Sequence, residues 1–148
     1  MRAILKVLAL AAPLLATGAD AQQSGGAPPH EWLFGTWTGG LYPASDTDPG
    51  RCFGQPVVIF TRDVVFRQSI LDVAYRQRLI ETAAGTTNGG VEFRFSPIPA
   101  QGGRLPADVG FGCENNPNLL RVERRGENEI VFPNCSEFPS PLRRCTTR

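Results

Sequence analysis

Short β-rich segments separated by turn formers are the feature that most limits the folds open to this chain. The clearest segment, 91–96 (VEFRFS), alternates strictly between apolar and polar residues. This alternation predicts a strand with Val91, Phe93 and Phe95 facing the core. The segment follows an Asn-Gly pair, which tolerates the positive φ of a tight hairpin turn. The sequence therefore predicts a β-hairpin in which 91–96 follows a strand at 73–82.

Similar segments recur along the chain at the spacing of an antiparallel meander. A helix through 64–80 is a competing interpretation, because several apolar residues there fall near helical spacing. The abundance of Val, Ile, Phe and Tyr favours strands instead. About eight strands in up-and-down order predict an all-β fold, either a closed antiparallel barrel or, as the alternative, a two-sheet β-sandwich. The predicted strands lie within 32–42, 56–61, 64–69, 73–82, 91–96, 119–124, 129–132 and 142–146.

Residues 1–21 have the pattern of a secretory signal peptide. Arg2 and Lys6 precede an apolar run that ends in Ala19-Asp20-Ala21, a small-x-small cleavage pattern. The run is shorter than the roughly 20 residues that a transmembrane helix needs. Cleavage would leave a flexible arm, 22–31, followed by a single β domain, 32–148. We therefore expect a periplasmic or secreted protein.

The charge balance of the mature chain limits its partners. The leader holds two of the 15 basic residues and one of the 14 acidic residues, so 13 of each remain. A nearly neutral domain is a poor partner for nucleic acid or an anionic membrane. We expect a monomer that does not insert into a membrane after cleavage. Its remaining basic residues are all arginines, which form bidentate pairs better than lysine does.

All four cysteines lie in the mature part, at Cys52, Cys113, Cys135 and Cys145. An even count in an exported chain predicts two disulfides, with three possible connectivities. A zinc site would need clustered ligands, but the chain has no C-x-x-C motif and one histidine. We expect neither a metal nor another cofactor.

Gly35 and Trp37 begin the first strand in the sequence Phe-Gly-Thr-Trp-Thr-Gly. This resembles the G-x-W motif of lipocalin-like barrels and the related start of small periplasmic inhibitors of bacterial metalloproteases. The resemblance implies that Trp37 closes one end of the core. It also implies that an arginine from the last strand, Arg143 or Arg144, lies across the indole ring.

The meander implied by this resemblance also suggests a disulfide pairing. Its first and last strands are neighbours, which brings Cys52 and Cys145 into adjacent regions. The chain after Cys113 and before Cys135 lies at one rim. We therefore predict the pairs Cys113–Cys135 and Cys52–Cys145.

The sequence lacks a recognisable catalytic set, so we expect a protein that is not an enzyme. His30 falls in the predicted flexible arm, which would not hold a catalytic base rigidly against its nucleophile. No G-x-S-x-G, H-E-x-x-H or Gly-rich phosphate loop is present. Glu81 and Glu92, on neighbouring strands, could do acid–base work. Such residues are more typical of solvated strand faces, here paired with Arg78 and Arg94.

Tyr75 and Gln77 are the candidate ligand-binding residues. With Glu81, they share one side of their predicted strand with Val73 and Leu79. If that side faces the barrel interior, they line a small polar pocket. The alternative is a packed core with a few satisfied polar groups.

Four arginines are predicted on the outer face. Arg76 and Arg78 occupy the side of their strand opposite Tyr75, with Arg67 and Arg94 on flanking strands. They could form an anion-binding stripe, but the interspersed acidic residues favour a mixed solvated surface.

Three functions fit these features. The first is an exported, non-enzymatic protein that binds an unknown protein or small molecule through its interior or the rim loops 43–55 and 97–118. The second is a protease inhibitor acting through the arm or a rim loop. The third is a structural component of the cell envelope.

Overall fold

The computed structural model describes residues 26–42, 54–69, 72, 75–99, 113, 116–136, 138–139 and 141–145. The predicted leader, Cys52 and Val73 lie outside these residues, as does most of both predicted rim loops. Within the described ranges, no helix is long and apolar enough to cross a membrane.

Eight antiparallel strands form a closed barrel in the order in which they occur along the chain. Each strand pairs with the next, and the last pairs with the first. This confirms the all-β up-and-down barrel in place of the two-sheet sandwich, and the helical interpretation of 64–80 is wrong. The strands are β1 (Gly35–Tyr42), β2 (Gln55–Phe60), β3 (Val64–Gln68), β4 (Arg76–Gly85), β5 (Val91–Phe95), β6 (Leu119–Arg124), β7 (Glu129–Val131) and β8 (Leu142–Arg144).

The two ends of the barrel differ in the connections that lie there. The up-and-down order places the short β2–β3, β4–β5 and β6–β7 turns at the end where β1 begins, which we call the closed end. A 3₁₀ helix, Glu31–Leu33, precedes β1 at this end; we call residues 28–34 the plug. The other four connections lie at the opposite end, the loop end.

Aromatic side chains fill much of the described interior. The Phe93 ring lies 5.7 Å from Phe60 and 6.3 Å from Phe95. Towards the loop end, Phe132 lies 6.5 Å from Phe60 and 4.5 Å from Phe138. All three inward-facing residues predicted for β5 are buried, which confirms that strand's orientation. Each large apolar side chain buried in this way contributes roughly 1.5–3 kcal/mol to folding.

β1 pairs irregularly with β2 and approaches β8 closely at Gly39. Its register against β2 shifts between Thr38 and Tyr42. Gly39 has a φ of 124°, and a Cβ there would lie 2.9 Å from the carbonyl oxygen of Pro141. A side chain would meet both backbone strain and a backbone clash, so glycine lets the two strands approach closely.

β4 serves two neighbours in turn. Its residues 76–79 pair with β3, and its residues 80–85 pair with β5. The register shifts between Ile80 and Thr82, as expected of a β-bulge. Because a bulge changes which residues face inward, the two halves of β4 follow different alternations.

Candidate functional site

The closed end is sealed by the plug. Trp37 is completely buried, and its Nε1 donates a hydrogen bond to the carbonyl oxygen of Leu33 at 2.8 Å. His30 is 3 % exposed, and its ring packs edge-on against Phe34 and Phe93. The expectation that His30 sits in a flexible arm is therefore wrong. The apolar plug residues give His30 a packed environment that its Pro-rich neighbours did not indicate.

The polar atoms of His30 fix the plug to the β2–β3 turn. Its Nε2 lies 3.2 Å from the carbonyl oxygen of Thr61 and 3.1 Å from that of Arg62. Since carbonyl oxygens only accept hydrogen bonds, Nε2 carries the donated proton. His30 thus acts as a structural fastener at the end of the barrel opposite the loops.

Arg144, rather than Arg143, lies across the tryptophan. Its guanidinium carbon is 4.3 Å from the centre of the Trp37 ring. Its Nη1 donates to Phe34 O at 2.7 Å, and its Nη2 donates to Trp32 O. Burial lowers the pKa of Arg144, and the positive charge of Arg124 lowers it further. Arg143 is exposed. Arg144 therefore joins the last strand to the plug.

The placement of Tyr75 and Gln77 inside the barrel is wrong. Both side chains are exposed, Tyr75 to 47 %, and Leu79 on the same side is 59 % exposed. Arg78 faces inward instead, because its partner across β3 is the fully buried Val65. Directly paired residues of an antiparallel sheet share a face, so this pair sets the orientation of this part of β4.

Arg78 is held by oxygen atoms at the loop end. It is 3 % exposed, and its guanidinium lies over the Phe95 ring at 5.0 Å. Nη2 donates to Ser96 O at 3.2 Å and to Asn118 Oδ1 at 2.6 Å, while Nη1 donates to Pro117 O. Burial lowers the pKa of Arg78. The residue thus ties together the start and the end of the β5–β6 connection.

Two further arginines share one carboxylate nearby. Arg67 of β3 and Arg76 of β4 are direct cross-strand partners. Asp72, in the connection between these strands, lies 2.6 Å from Arg76 and 3.8 Å from Arg67. We call these three residues the rim triad. The solvated outer stripe is therefore wrong for Arg67, Arg76 and Arg78, which share the inner face, whereas Arg94 is exposed on the outside.

The loops around the triad are fastened to one another. Cys113 and Cys135 form a disulfide between the β5–β6 and β7–β8 connections, which confirms that predicted pair. Phe138 packs on Phe132 and lies 6.0 Å from the guanidinium of Arg67. Cys145 is also disulfide-bonded. Its predicted partner, Cys52, lies outside the described residues, so that pairing stays a prediction.

The candidate carboxylate pair is not assembled. Glu92 stands opposite Ala84 in the sheet, not opposite Glu81. Its oxygens lie 3.2 Å from Arg94 and 2.9 Å from Arg121. These exposed pairs belong to a solvated outer face and contribute little to stability. Among the described residues, no three His, Cys, Asp or Glu side chains are placed to hold a metal ion.

Sequence reasoning missed Asp72 and Asn118 as site residues. The one available signal is that Asp72 precedes Arg76 by four residues, a spacing that proteins show very often. Asn118 is 40 residues from Arg78, and no local pattern links the two. The triad follows from the register of β3 and β4, which is a tertiary property.

Comparison of the chain with protein-family models, curated proteins and solved structures gave no match. The closed barrel of eight antiparallel strands is compatible with a lipocalin-like barrel. The geometry itself therefore defines the candidate site: a plugged closed end, an aromatic interior, and a rim triad at the loop end.

Proposed function

We propose that this chain is an exported, non-enzymatic binding protein that holds a ligand or partner at its loop end. The observation that carries the proposal is the rim triad. Arg67 and Arg76 meet at the mouth of the barrel, and the Arg76 side chain is still 32 % exposed. Guanidinium groups held rigidly by packing and ion pairs are well suited to bind anionic or polar groups.

The aromatic interior supports the rim rather than a deep cavity as the binding region. Phe60, Phe93 and Phe95 stack through the middle of the described barrel, each 1 % exposed or less. A ligand in that position would have to displace close-packed side chains. Binding at the loop end requires no such rearrangement.

Residue-resolved NMR tests the position of the site. Processed, ¹⁵N-labelled protein (residues 22–148) is titrated separately with sodium acetate, sodium phosphate, spermidine and glucose. We expect amide shifts at Ser69, Asp72 and Asn118 with at least one probe. Arg76→Gln should weaken that response, whereas Arg94→Gln on the outer face should not. Shifts confined to the plug or to β5 and β6, or none with any probe, would count against the proposal.

Export is part of the proposal, and its support is the leader pattern together with the Cys113–Cys135 disulfide. Expression of the full chain in a Gram-negative host should give a periplasmic product beginning at Gln22, measured by intact mass. Ala21→Arg should leave the leader attached. The matched change Ala27→Arg, six residues further on, should be processed normally. Processing of Ala21→Arg at the wild-type rate would contradict this cleavage site.

A protease inhibitor is the second candidate function. The specific observation is that Gly26 and Ala27 are exposed and precede the plug, whose His30 is anchored at the closed end. The preceding segment therefore starts from a fixed point, as an inhibitory arm requires. The processed protein is incubated at micromolar concentration with secreted metalloproteases and serine proteases. Unchanged protease activity across that panel would exclude this function.

A further inference from the structure

The rim triad contains a carboxylate that belongs to the protein itself. Arg67 on β3 and Arg76 on β4 lie directly opposite each other on adjacent strands, and like charges in that position repel. The Asp72 carboxylate relieves the repulsion by approaching both guanidinium groups. The pair of arginines therefore already forms a place in which a carboxylate is bound.

Asp72 reaches this place from a connection, not from a strand. Its Oδ2 accepts a hydrogen bond from the Ser69 backbone N–H at 2.8 Å, and its own N–H donates to Ser69 O at 3.0 Å. These local bonds hold the carboxylate in addition to its ion pairs with the two arginines. Both arginines, by contrast, lie on strands and are direct cross-strand partners.

The triad is open to solvent on one side. The Asp72 side chain is 5 % exposed and that of Arg67 is 7 % exposed, whereas the Arg76 side chain is 32 % exposed. An incoming group therefore meets Arg76 first. Arg67 and Arg76 also make further contacts.

We propose that the rim triad is a carboxylate-binding site in which Asp72 occupies the position of the ligand's carboxylate until the ligand displaces it. The ligand is a small organic acid or the C-terminus of a peptide, since both present the same planar pair of oxygens. This inference rests on the proposed rim-binding function and names its ligand class. Asp72 acts as an internal competitor, so it weakens ligand binding by the cost of its own displacement.

The Asp72→Asn variant tests the exchange. The amide has the shape of the carboxylate and can still accept the Ser69 N–H, but it no longer competes as an anion. Calorimetry with sodium acetate should give a dissociation constant about tenfold lower for Asp72→Asn than for wild type. Adding Arg76→Gln to Asp72→Asn should abolish the gain. Arg94→Gln added in its place should retain it.

Two tripeptide ligands distinguish a peptide C-terminus from a small organic acid as the source of the carboxylate. Tri-alanine with a free C-terminus should bind Asp72→Asn, and tri-alanine amide should not. Binding of the free peptide more tightly than acetate identifies a peptide terminus; tighter acetate identifies a small acid. In wild type, acetate at high concentration should shift the Nε signals of Arg67 and Arg76. This last measurement does not depend on the stability of any variant.

Equal acetate affinity of wild type and Asp72→Asn, with unshifted arginine Nε signals, would overturn the carboxylate site. That result would leave the rim-binding function standing if phosphate, spermidine or glucose still perturbed Ser69 and Asn118. Perturbations outside the loop end would instead overturn the rim-binding function itself. The two failures are therefore distinguishable.

Discussion

At the scale of single residues, the barrel depends on arginines that face inward. Arg67 and Arg78 are at least nine-tenths buried, and Arg144 is partly buried over Trp37. A buried guanidinium is tolerated only where oxygen atoms or aromatic faces replace its water. Arg78 and Arg144 meet this condition mainly with backbone carbonyls. Each therefore fastens irregular chain to a regular strand.

Arg144→Gln should lower the free energy of unfolding by about 1.5–3 kcal/mol, because charge-assisted hydrogen bonds to Trp32 and Phe34 are lost. The stacking on Trp37 is lost as well. Urea denaturation followed by tryptophan fluorescence measures the change. Arg143→Gln is the matched control, and we expect it to lie within about 0.5 kcal/mol of wild type because Arg143 is exposed. Equal losses for the two variants would contradict the role given to Arg144.

The roles of the inward-facing arginines could not be predicted from the sequence. Alternation in 91–96 was sufficient to orient β5, because apolar and polar residues there separate cleanly. For the predicted strand 73–82, alternation places Tyr75 inside, since Arg78 has the character of a solvated residue. The acceptors that allow Arg78 to be buried come from Ser96, Pro117 and Asn118, which are 18 to 40 residues away. The hydropathy of the strand alone does not indicate these oxygen acceptors.

At the scale of elements, β4 determines the chemistry of the loop end. Its first half pairs with β3 and points Arg78 inward, and its bulge then allows the second half to follow β5. The hairpin turn and the strand count were predictable from local turn chemistry. Which side chains of β4 face inward was not predictable, because a register shift of one residue moves every side chain to the opposite face of the sheet.

Substitutions at two neighbouring residues of β4 test directly which side chain faces inward. Arg78→Gln should cost about 2–4 kcal/mol, because it leaves buried carbonyl oxygens without a charged donor. Leu79→Ser should change stability by no more than about 0.5 kcal/mol, since Leu79 is 59 % exposed. Thermal and urea unfolding provide the comparison. A larger loss for Leu79→Ser would reverse the assigned orientation of the strand.

The contact between β1 and β8 gives a second prediction for an element. Gly39→Ala should destabilise by about 1–3 kcal/mol, because Gly39 combines a positive φ with a backbone oxygen 2.9 Å from the new Cβ. Gly85→Ala in β4 is the control, since its Cβ would meet nothing within 4 Å. That control should be neutral or stabilising by up to about 1 kcal/mol. Circular dichroism melts would contradict the assignment if both variants behaved alike.

At the scale of the whole molecule, the Cys113–Cys135 disulfide joins two of the connections at the loop end. It closes a segment with a sequence separation of 22 residues. The double variant Cys113→Ala/Cys135→Ala should lose about 2–4 kcal/mol of stability, because the unfolded chain gains freedom. Denaturant unfolding measures this loss, with Ser136→Ala as a control at an exposed neighbour. Stability equal to wild type would contradict a structural role for the bridge.

The pairing of β8 with β1 also orders events in time. The strand that completes the ring ends at Arg144, whose partners in the plug and in β1 lie 107 to 112 residues earlier in the chain. The ring cannot close until residues 142–144 have been synthesised, because β8 pairs with both β7 and β1. Contacts of such long range slow folding. The contacts that close the ring are therefore the last ones that the growing chain can make.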